Sequence, residues 1–271
     1  MTEPSTPETL AAALWDAAET GVPIAPIAAS ILVAAEHTSR RPDDIAYSIQ
    51  QLNVERTVAE RGSRVCGRKI GLTSAAVQRQ LGVDRPDFGA LFADRCFGDG
   101  ETVDISRMLA PRVEPEIALV LGRDLDRKQH TVADILRATD FALTAIEIVD
   151  SRIAEWRIGF LDTVADNASG DSFVLGTVPH SLSGLDLADV RIEMSVDGDV
   201  VSSGHGRDCF GNPLLAGVWL ADTLSSLGTP LRAGDIVMTG AVAAMAPLPS
   251  KGTVTADFGP LGNISLNTGV E

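Results

Sequence analysis

The chain has 271 residues, of which 45% are hydrophobic and 22% charged, and this length suits one large domain or one domain with an appendage. These proportions exclude a disordered, collagen-like or coiled-coil protein. The formal net charge of −15 at pH 7 argues against a nucleic-acid partner, because an acidic surface repels phosphate groups.

The cysteines and histidines indicate the cellular compartment and limit the kinds of metal site that are expected. Cys66, Cys96 and Cys209 lie far apart without a CxxC motif, and the four histidines form no HxxxH or HxH motif. A disulfide framework and a zinc site of His and Cys ligands are therefore not expected, and we predict a cytoplasmic protein. The uncharged run 20–35 contains prolines and is shorter than the roughly 20 residues that cross a bilayer, so no membrane partner is predicted.

The first 63 residues are predicted to be a helical N-terminal segment. Residues 7–20 are amphipathic, with Thr6 as a possible cap and Gly21 at the end. Residues 42–61 carry apolar side chains at helical spacing and form a second predicted helix. The apolar stretch between the two helices contains two prolines and receives no assignment.

Residues 64–271 are predicted to form one domain. Short β-branched runs alternate there with Gly, Pro and Asp clusters. The predicted strands are 65–70, 113–121, 143–149, 172–175, 190–196, 235–238, 252–258 and 262–266. The predicted helices are 73–81, 131–140 and 212–227. Strands and helices do not alternate regularly, which disfavours a doubly wound parallel sheet and favours an α+β fold with a mixed, rolled sheet and flanking helices.

Two glutamates share one face of the predicted strand 113–121. Alternate residues of a strand point the same way, so Glu114 and Glu116 are neighbours, roughly 7 Å apart at Cα. Two like charges this close repel unless a cation or a proton lies between them. Pro115 cannot donate to a ladder and suggests a strand edge or start beside an opening. Two solvated glutamates at the end of a strand remain the plain alternative.

A third carboxylate, Glu147, lies in the run 141–150, which is too apolar for a surface strand. An unpaired carboxylate in such a strand would cost several kcal/mol. An ion pair of Arg152 with Asp150 or Glu147 is one solution. A site made of carboxylate oxygens for a hard divalent ion, Mg²⁺ or Mn²⁺, is the other.

Lys69 lies at the end of the first predicted strand, before a glycine and a helix that Thr73 or Ser74 can cap. A lysine there commonly reaches the surface, and it could instead bind a substrate carboxylate or act as an acid. The chain has neither a GxxxxGK[ST] loop nor a GxGxxG motif, so no nucleotide cofactor is indicated.

Three further polar residues lie in segments that read as turns. Asp87 belongs to a Pro-Asp-x-Gly string, Ser169 to the polar loop 166–171, and Thr239 to a Thr-Gly-Ala string after a strand. No GxSxG motif surrounds Ser169, which disfavours a serine hydrolase. Taken singly, each of these segments predicts a turn without chemistry.

Taken together, six strings in this order are similar to those of a known family. They are Lys69-Ile-Gly-Leu-Thr-Ser74, Pro86-Asp-Phe-Gly89, Val113-Glu-Pro-Glu-Ile-Ala118, Glu147-Ile-Val-Asp-Ser-Arg152, Val164-Ala-Asp-Asn-Ala-Ser169 and Gly234-Asp-Ile-Val-Met-Thr-Gly240. The chain resembles the 2-keto-4-pentenoate (2-hydroxypenta-2,4-dienoate) hydratases, which belong with the 4-oxalocrotonate decarboxylases to the fumarylacetoacetate hydrolase superfamily. The likeness covers about residues 40–267.

The resemblance implies roles for seven residues. It implies that Glu114, Glu116 and Glu147 hold Mg²⁺ or Mn²⁺, and that Lys69 and Asp87 are acid–base groups over the bound substrate. It also implies that Ser169 and Thr239 line the carboxylate end of the substrate.

The implied activity is addition of water to a 2-hydroxy-2,4-dienoate, through its 2-oxo-3-enoate tautomer, to give a 4-hydroxy-2-oxo acid in aromatic or steroid meta-cleavage catabolism. The resemblance further implies a β-roll fold and a homo-oligomer, a pentamer or decamer, that can associate with a downstream aldolase or a decarboxylase.

Three other functions stay open at this stage. Decarboxylation of a 2-oxo-3-enedioate needs the same site, and the chain could also be a non-catalytic partner subunit. Hydrolysis of an acylpyruvate would require a His-Glu pair near the water, and Glu36-His37 is the adjacent pair in the chain.

Overall fold

The computed structural model describes residues 5–269. Its α-helices are α1 (Pro7–Thr20), α2 (Ala28–Thr38), α3 (Pro42–Arg61), α4 (Ala75–Leu81), α5 (Val132–Ala138), α6 (Phe160–Ala165) and α7 (Pro213–Ser226). Its strands are β1 (Val65–Gly71), β2 (Asp87–Phe92), β3 (Cys96–Gly98), β4 (Thr102–Val103), β5 (Arg112–Leu121), β6 (Thr139–Val149), β7 (Gly170–Leu175), β8 (Arg191–Val196), β9 (Asp199–His205), β10 (Ile236–Met238), β11 (Ala246–Pro247), β12 (Gly252–Asp257) and β13 (Asn263–Thr268).

Local capping explains where the predicted helices begin and end. The Thr6 hydroxyl accepts a hydrogen bond from the Thr9 amide, and Gly21 ends α1 at a φ of 68°. Helix α3 has the predicted bounds, with Pro42 in its first turn and Gly62 at its end. The predictions for both N-terminal helices are therefore confirmed.

Three stretches differ from their predictions. The unassigned apolar stretch contains helix α2, and the predicted Pro-Asp-x-Gly turn is the start of strand β2. The helix predicted over 131–140 ends at Ala138, because Thr139 of β6 already pairs with Leu121 of β5. In each case tertiary contacts outweigh a local signal.

Two mixed sheets form the body of the molecule. The larger has the order β2-β1-β10-β5-β6-β7-β3, with β11 also paired to β5. The smaller has the order β4-β13-β12-β8-β9. Most neighbours are antiparallel, while the β1–β10, β3–β7 and β4–β13 pairs are parallel. The predicted α+β class with a rolled mixed sheet is confirmed.

The main core consists of aliphatic side chains from both sheets and helix α7. Ile117 and Leu119 of β5 pack in the same cluster as Ile192 of β8 and Leu220 of α7. These side chains lie on the face of β5 opposite the glutamates, as the alternation predicts. One face of β5 therefore stabilises the fold and leaves the other available for polar groups.

The N-terminal helices form a second core against α6. Ile31, Ile45 and Ile49 are fully buried and cluster with Val164 and Ala165. The Asp162 carboxylate accepts hydrogen bonds from the amides of Ile27 and Ala28, at the beginning of α2. The division between residues 63 and 64 stays a prediction, and the two parts share this interface.

Among the helices of residues 5–269, none combines the length and the apolar character needed to cross a bilayer.

Candidate active site

The three glutamates singled out in the sequence converge at the centre of the larger sheet. Glu114 of β5 is directly opposite Glu147 of β6, and Glu116 follows two residues later on the same face. One carboxylate oxygen from each residue lies within 4.8 Å of the others. All three side chains are buried, with Glu116 fully inaccessible. The alternative of solvated glutamates is therefore excluded.

A gap in the pairing of β5 opens this position. Strand β10 pairs with residues 118–120 of β5, and β11 pairs with residues 112 and 113. Pro115 lies in the interval between these two paired segments. Because no strand pairs with residue 115 on that side of β5, the N–H that proline lacks is not needed for a ladder hydrogen bond. The prediction that Pro115 marks a sheet edge is wrong, because β5 is a central strand, but Pro115 does mark an opening.

If all three were ionised, the carboxylates would carry more negative charge than their protein partners neutralise. Burial and then the Glu147 carboxylate raise the pKa of Glu114 to about 8, and the same two causes raise that of Glu116 well above its ordinary value. Glu114 Oε2, Glu116 Oε1 and Glu147 Oε2 are buried without a hydrogen-bond partner. Oxygen atoms left free and close together are the donor set that a hard divalent cation requires.

Lys69 is the basic group beside this cluster. Its Nζ lies 3.1 Å from Glu147 Oε1, and the side chain is 2% exposed. Burial by itself would lower the pKa of Lys69, but the carboxylates of Glu147, Asp87, Glu114 and Glu116 together raise it above its ordinary value. Lys69 is therefore a buried cation, and the interpretation of a lysine that reaches the surface is excluded.

Asp87 faces the same space from strand β2. Its Oδ2 accepts a hydrogen bond of 2.9 Å from the Thr163 hydroxyl, while Oδ1 is buried and unpartnered. A Cβ atom at Gly71 would lie 2.2 Å from Asp87 Oδ1 and 3.6 Å from Lys69 Nζ. Glycine at position 71 is thus what allows the two polar groups to share one space.

Ser169 enters the site through a strained turn. Asn167, Ala168 and Ser169 have φ values of 54°, 52° and 52°, a left-handed conformation that costs roughly 1–2 kcal/mol per residue. The Ser169 hydroxyl is buried without a hydrogen-bond partner. Asn167 holds the turn by accepting from the Ala90 amide at 2.7 Å and donating to the Ala90 carbonyl at 3.0 Å.

Thr239 supports the site from below. Its hydroxyl donates to the Ile117 carbonyl at 2.8 Å, and the next amide, Gly240, donates to Glu116 Oε2 at 2.8 Å. Thr239 is fully buried and is not among the residues that line the cavity. Contact between Thr239 and a substrate stays a prediction.

The ion pairs differ from the alternative that the sequence left open. Arg152 pairs with Asp166 rather than with Asp150 or Glu147, and it also donates to the Asp166 carbonyl. Asp150 instead accepts from the amides of Leu109 and Ala110. These contacts fix the segments on both sides of the site.

A cavity that is partly open to solvent lies beside these groups, and Glu114 contributes to its lining. Its polar wall contains Lys69, Asp87, Glu114, Thr163 and Ser169. The Glu36-His37 pair lies elsewhere, exposed at the end of α2, where His37 Nδ1 contacts the Val33 carbonyl. The His-Glu arrangement of an acylpyruvate hydrolase is thus not supplied by this pair.

Comparison with known proteins identifies the family. Residues 51–265 match the fumarylacetoacetate hydrolase C-terminal family. The chain belongs to the fumarylacetoacetate hydrolase family. It is 51% identical over 259 residues to 2-keto-4-pentenoate hydratase 2 of Dechloromonas aromatica, a match that covers 96% of each chain. It is 42% identical over 204 residues to a 2-hydroxyhexa-2,4-dienoate hydratase of Comamonas testosteroni, covering 74% of this chain and 77% of the relative.

Solved structures of this family share the fold. The 4-oxalocrotonate decarboxylase of Pseudomonas putida G7, complexed with magnesium and adipate, superposes with a TM-score of 0.85 at 29% identity, covering 98% of this chain and 99% of that one. A fumarylpyruvate hydrolase of Pseudomonas aeruginosa superposes with a TM-score of 0.62 at 15% identity, covering 75% and 89%, and supports the fold alone.

Four residues of this fumarylacetoacetate hydrolase family site escaped analysis of the sequence. Thr163 bonds Asp87, Gly71 leaves room for it, Asn167 holds the turn before Ser169, and Trp156 lines the cavity. Gly71 and Asn167 lie inside strings that carry the family resemblance, Thr163 directly precedes one, and Trp156 lies between two of them. Their roles depend on contacts between residues far apart in the chain, which no local pattern contains.

Proposed function

We propose that the protein is a divalent-metal-dependent hydro-lyase that adds water to a 2-hydroxy-2,4-dienoate and forms a 4-hydroxy-2-oxo acid. One observation carries the proposal: three buried carboxylates with free oxygens converge beside Lys69, and Glu114 lines the same cavity as Lys69 and Asp87. The names of the relatives that match over nearly the whole chain support the same activity.

Glu114, Glu116 and Glu147 would hold the metal, and we propose Mg²⁺ as the ion, with Mn²⁺ as the alternative. Their unpartnered oxygens fit a hard cation, and related structures contain magnesium, calcium or Mn²⁺. Such an ion supplies Lewis acidity toward the carboxylate and C2 oxygens of a 2-oxo acid.

The protein groups then move the protons of two steps. In the first step the dienol loses its O–H proton and gains a proton at C5, which gives the 2-oxo-3-enoate. In the second step the oxygen of water adds to C4 and a proton adds to C3. We assign Asp87 as the base for the water, because Oδ1 is free while Thr163 holds Oδ2.

Lys69 and Ser169 complete the polar wall of the cavity. The Lys69 ammonium offers a proton and a positive charge close to Glu147. The free Ser169 hydroxyl can donate to a substrate carboxylate, as the resemblance implies. For Thr239 we propose an indirect role, because its hydroxyl is already engaged by the Ile117 carbonyl and its neighbour Gly240 orients Glu116.

The test is hydration of 2-hydroxypenta-2,4-dienoate, followed by the loss of dienol absorbance. Chelator-treated protein should lose turnover, and added Mg²⁺ should restore it at least as well as Mn²⁺. Glu116→Gln should remove the metal-dependent rate. Glu36→Gln, at an exposed position of helix α2, is the matched control. Full activity after complete removal of the metal would contradict the proposed function.

A decarboxylase of 2-oxo-3-enedioates is the second candidate. It is favoured by the close superposition on 4-oxalocrotonate decarboxylase over nearly the whole chain. Both activities can be assayed on one preparation, with CO₂ release from 2-oxohex-3-enedioate as the distinguishing product. We expect hydration of the monoacid to be the faster reaction.

Assembly and location are proposed from the sequence. The family resemblance supports a homo-oligomer, a pentamer or decamer, with association to an aldolase or decarboxylase that handles a neighbouring step. Light scattering after size-exclusion chromatography tests the subunit number. Retention of Lys69, Asp87 and all three glutamates argues against a non-catalytic subunit. Sparse, unpaired cysteines support a cytoplasmic location.

A further inference from the structure

The lining of the catalytic cavity has an apolar part besides its polar groups. Leu72, Val77, Leu81, Ile158, Met245 and the Trp156 indole line this part. All of these except Ile158 belong to one hydrophobic cluster, so they form a continuous surface rather than scattered contacts. A substrate whose carboxylate end faces the metal-ligand residues would direct its tail toward such a surface.

The cavity offers no free cation for a second carboxylate. Among the described residues that line it, Lys69 is the only basic one, and Lys69 already pairs with Glu147. Asp87 and Glu114 add negative charge to the same wall. A carboxylate at the end of the substrate would therefore lose its hydration without gaining a partner.

Trp156 is held in place from two directions. Its Nε1 donates to the Ala110 carbonyl at 2.9 Å, and the Arg112 guanidinium lies 4.7 Å from the ring centroid. Trp156 and its neighbour Glu155 have φ values of 54° and 60°, in the left-handed region. The Ala110 segment is in turn fixed by Asp150, which accepts from the Ala110 amide at 2.7 Å.

The left-handed backbone at Glu155 and Trp156 is strained, and in this conformation it places a large indole at the cavity wall. The Arg112 guanidinium does not itself line the cavity, and it is the supporting group for the ring. A fixed aromatic wall limits how far an apolar tail can extend, whereas a mobile side chain would yield to it.

We infer that Trp156 determines specificity by closing an apolar end of the cavity, which accepts a short uncharged tail and rejects a second carboxylate. This inference rests on the proposed function, since it takes the carboxylate end of a 2-oxo acid to lie at the glutamates. It also explains why the chain should prefer the hydratase substrate over the dioate of the decarboxylase.

Calorimetric binding of 2-oxo acids to the Mg²⁺-loaded protein tests the inference without turnover. Three probes are used: 2-oxohexanoate, 2-oxohexanedioate of the same length, and the longer 2-oxooctanoate. The wild-type protein should bind 2-oxohexanedioate at least about tenfold more weakly than 2-oxohexanoate, because of the unpaired carboxylate. Trp156→Ala should strengthen binding of 2-oxooctanoate relative to 2-oxohexanoate, by roughly fourfold for each additional buried methylene.

Two matched variants control for loss of structure. Trp156→Phe keeps an apolar ring and should keep the wild-type order of the probes. Arg112→Met removes the stacked guanidinium and should loosen the length limit in the same direction as Trp156→Ala, with an unchanged circular dichroism spectrum for all variants.

The outcomes separate the inference from the function on which it rests. The inference is overturned if the wild-type protein binds 2-oxohexanedioate as tightly as 2-oxohexanoate, or more tightly. If Arg112→Met then loses the binding of 2-oxohexanedioate, Arg112 is the residue that receives the second carboxylate. The inference is also overturned if the affinity of Trp156→Ala for 2-oxo acids does not depend on the length of their tails. If no 2-oxo acid binds in the presence of Mg²⁺, the proposed function fails together with the inference.

Discussion

At the scale of single residues, the site is a cluster of buried charges that the fold leaves unbalanced. One lysine lies against three glutamates and an aspartate, and each of these side chains is at least 96% buried. Such an arrangement is unfavourable by itself, because burying unpaired carboxylates costs several kcal/mol. On the proposed function, the protein therefore trades stability in the metal-free state for affinity toward a cation.

Glu116→Gln tests this trade directly. The amide is nearly isosteric and removes one of the mutually repelling groups, so the metal-free variant should be at least as stable as the wild-type protein. Saturating Mg²⁺ should stabilise the wild-type protein by about 2.7 kcal/mol at 100 times the dissociation constant, and should leave the variant almost unchanged. Chemical denaturation with and without Mg²⁺ measures both effects. Equal stabilisation of the two proteins would remove Glu116 from the set of ligands.

Lys69→Met tests the buried ammonium. Methionine keeps the unbranched apolar stem, while the positive charge and the proton donor beside Glu147 are lost. We expect the hydration rate to fall by roughly 10²- to 10⁴-fold, the range of a general acid–base contribution. Lys251→Met, at an exposed position, serves as the control in the same steady-state assay. A variant that retains a tenth of the rate would argue that Lys69 only balances charge.

At the scale of elements, the site depends on the arrangement of strands β5, β6, β1 and β2 in the sheet and on the loops connected to them. The register of β5 and β6 places Glu114 opposite Glu147, although the two residues are 33 positions apart in the chain. The left-handed turn at 167–169 sends Ser169 into the cavity, and Asn167 ties that turn to Ala90 on β2. The strain of the turn is stored where the substrate is expected to bind.

Asn167→Ala should release this turn. It removes both hydrogen bonds to Ala90 and places alanine, which tolerates the left-handed region less well than asparagine, at a φ of 54°. We expect a loss of about 1–3 kcal/mol of stability and a higher KM for the dienoate. Thermal unfolding and steady-state kinetics measure the two effects, with exposed Asn263→Ala as the control. An unchanged KM would show that the turn does not position Ser169.

At the scale of the whole molecule, the N-terminal helices brace the site from behind. Helix α6 carries Thr163, which bonds Asp87, and it packs against α3 in the second core. Tyr47 of α3 stacks on Phe88 of β2 with the ring centroids 4.5 Å apart. The helical segment and the β-roll are therefore joined through the elements that hold Asp87 and its partner Thr163.

Ile49→Ala should weaken the whole protein rather than the N-terminal segment alone. Ile49 is fully buried in the second core, so the expected loss is about 2–5 kcal/mol. Val58→Ala on the same helix, where the side chain is 41% exposed, should cost far less. Denaturation followed by circular dichroism should give a single transition for both variants. Two separate transitions would mean that the two parts fold independently.

The sequence by itself determined the ends of helices α1 and α3, most strand positions and the facing of Glu114 and Glu116, because caps, prolines and alternation act over a few residues. Its motifs also carried the family resemblance. Only the tertiary structure decided that Lys69 pairs with Glu147, that Arg152 pairs with Asp166, and that Asp87 begins a strand. These contacts join residues far apart in the chain, so their energies depend on sheet register and burial, which a local pattern does not encode.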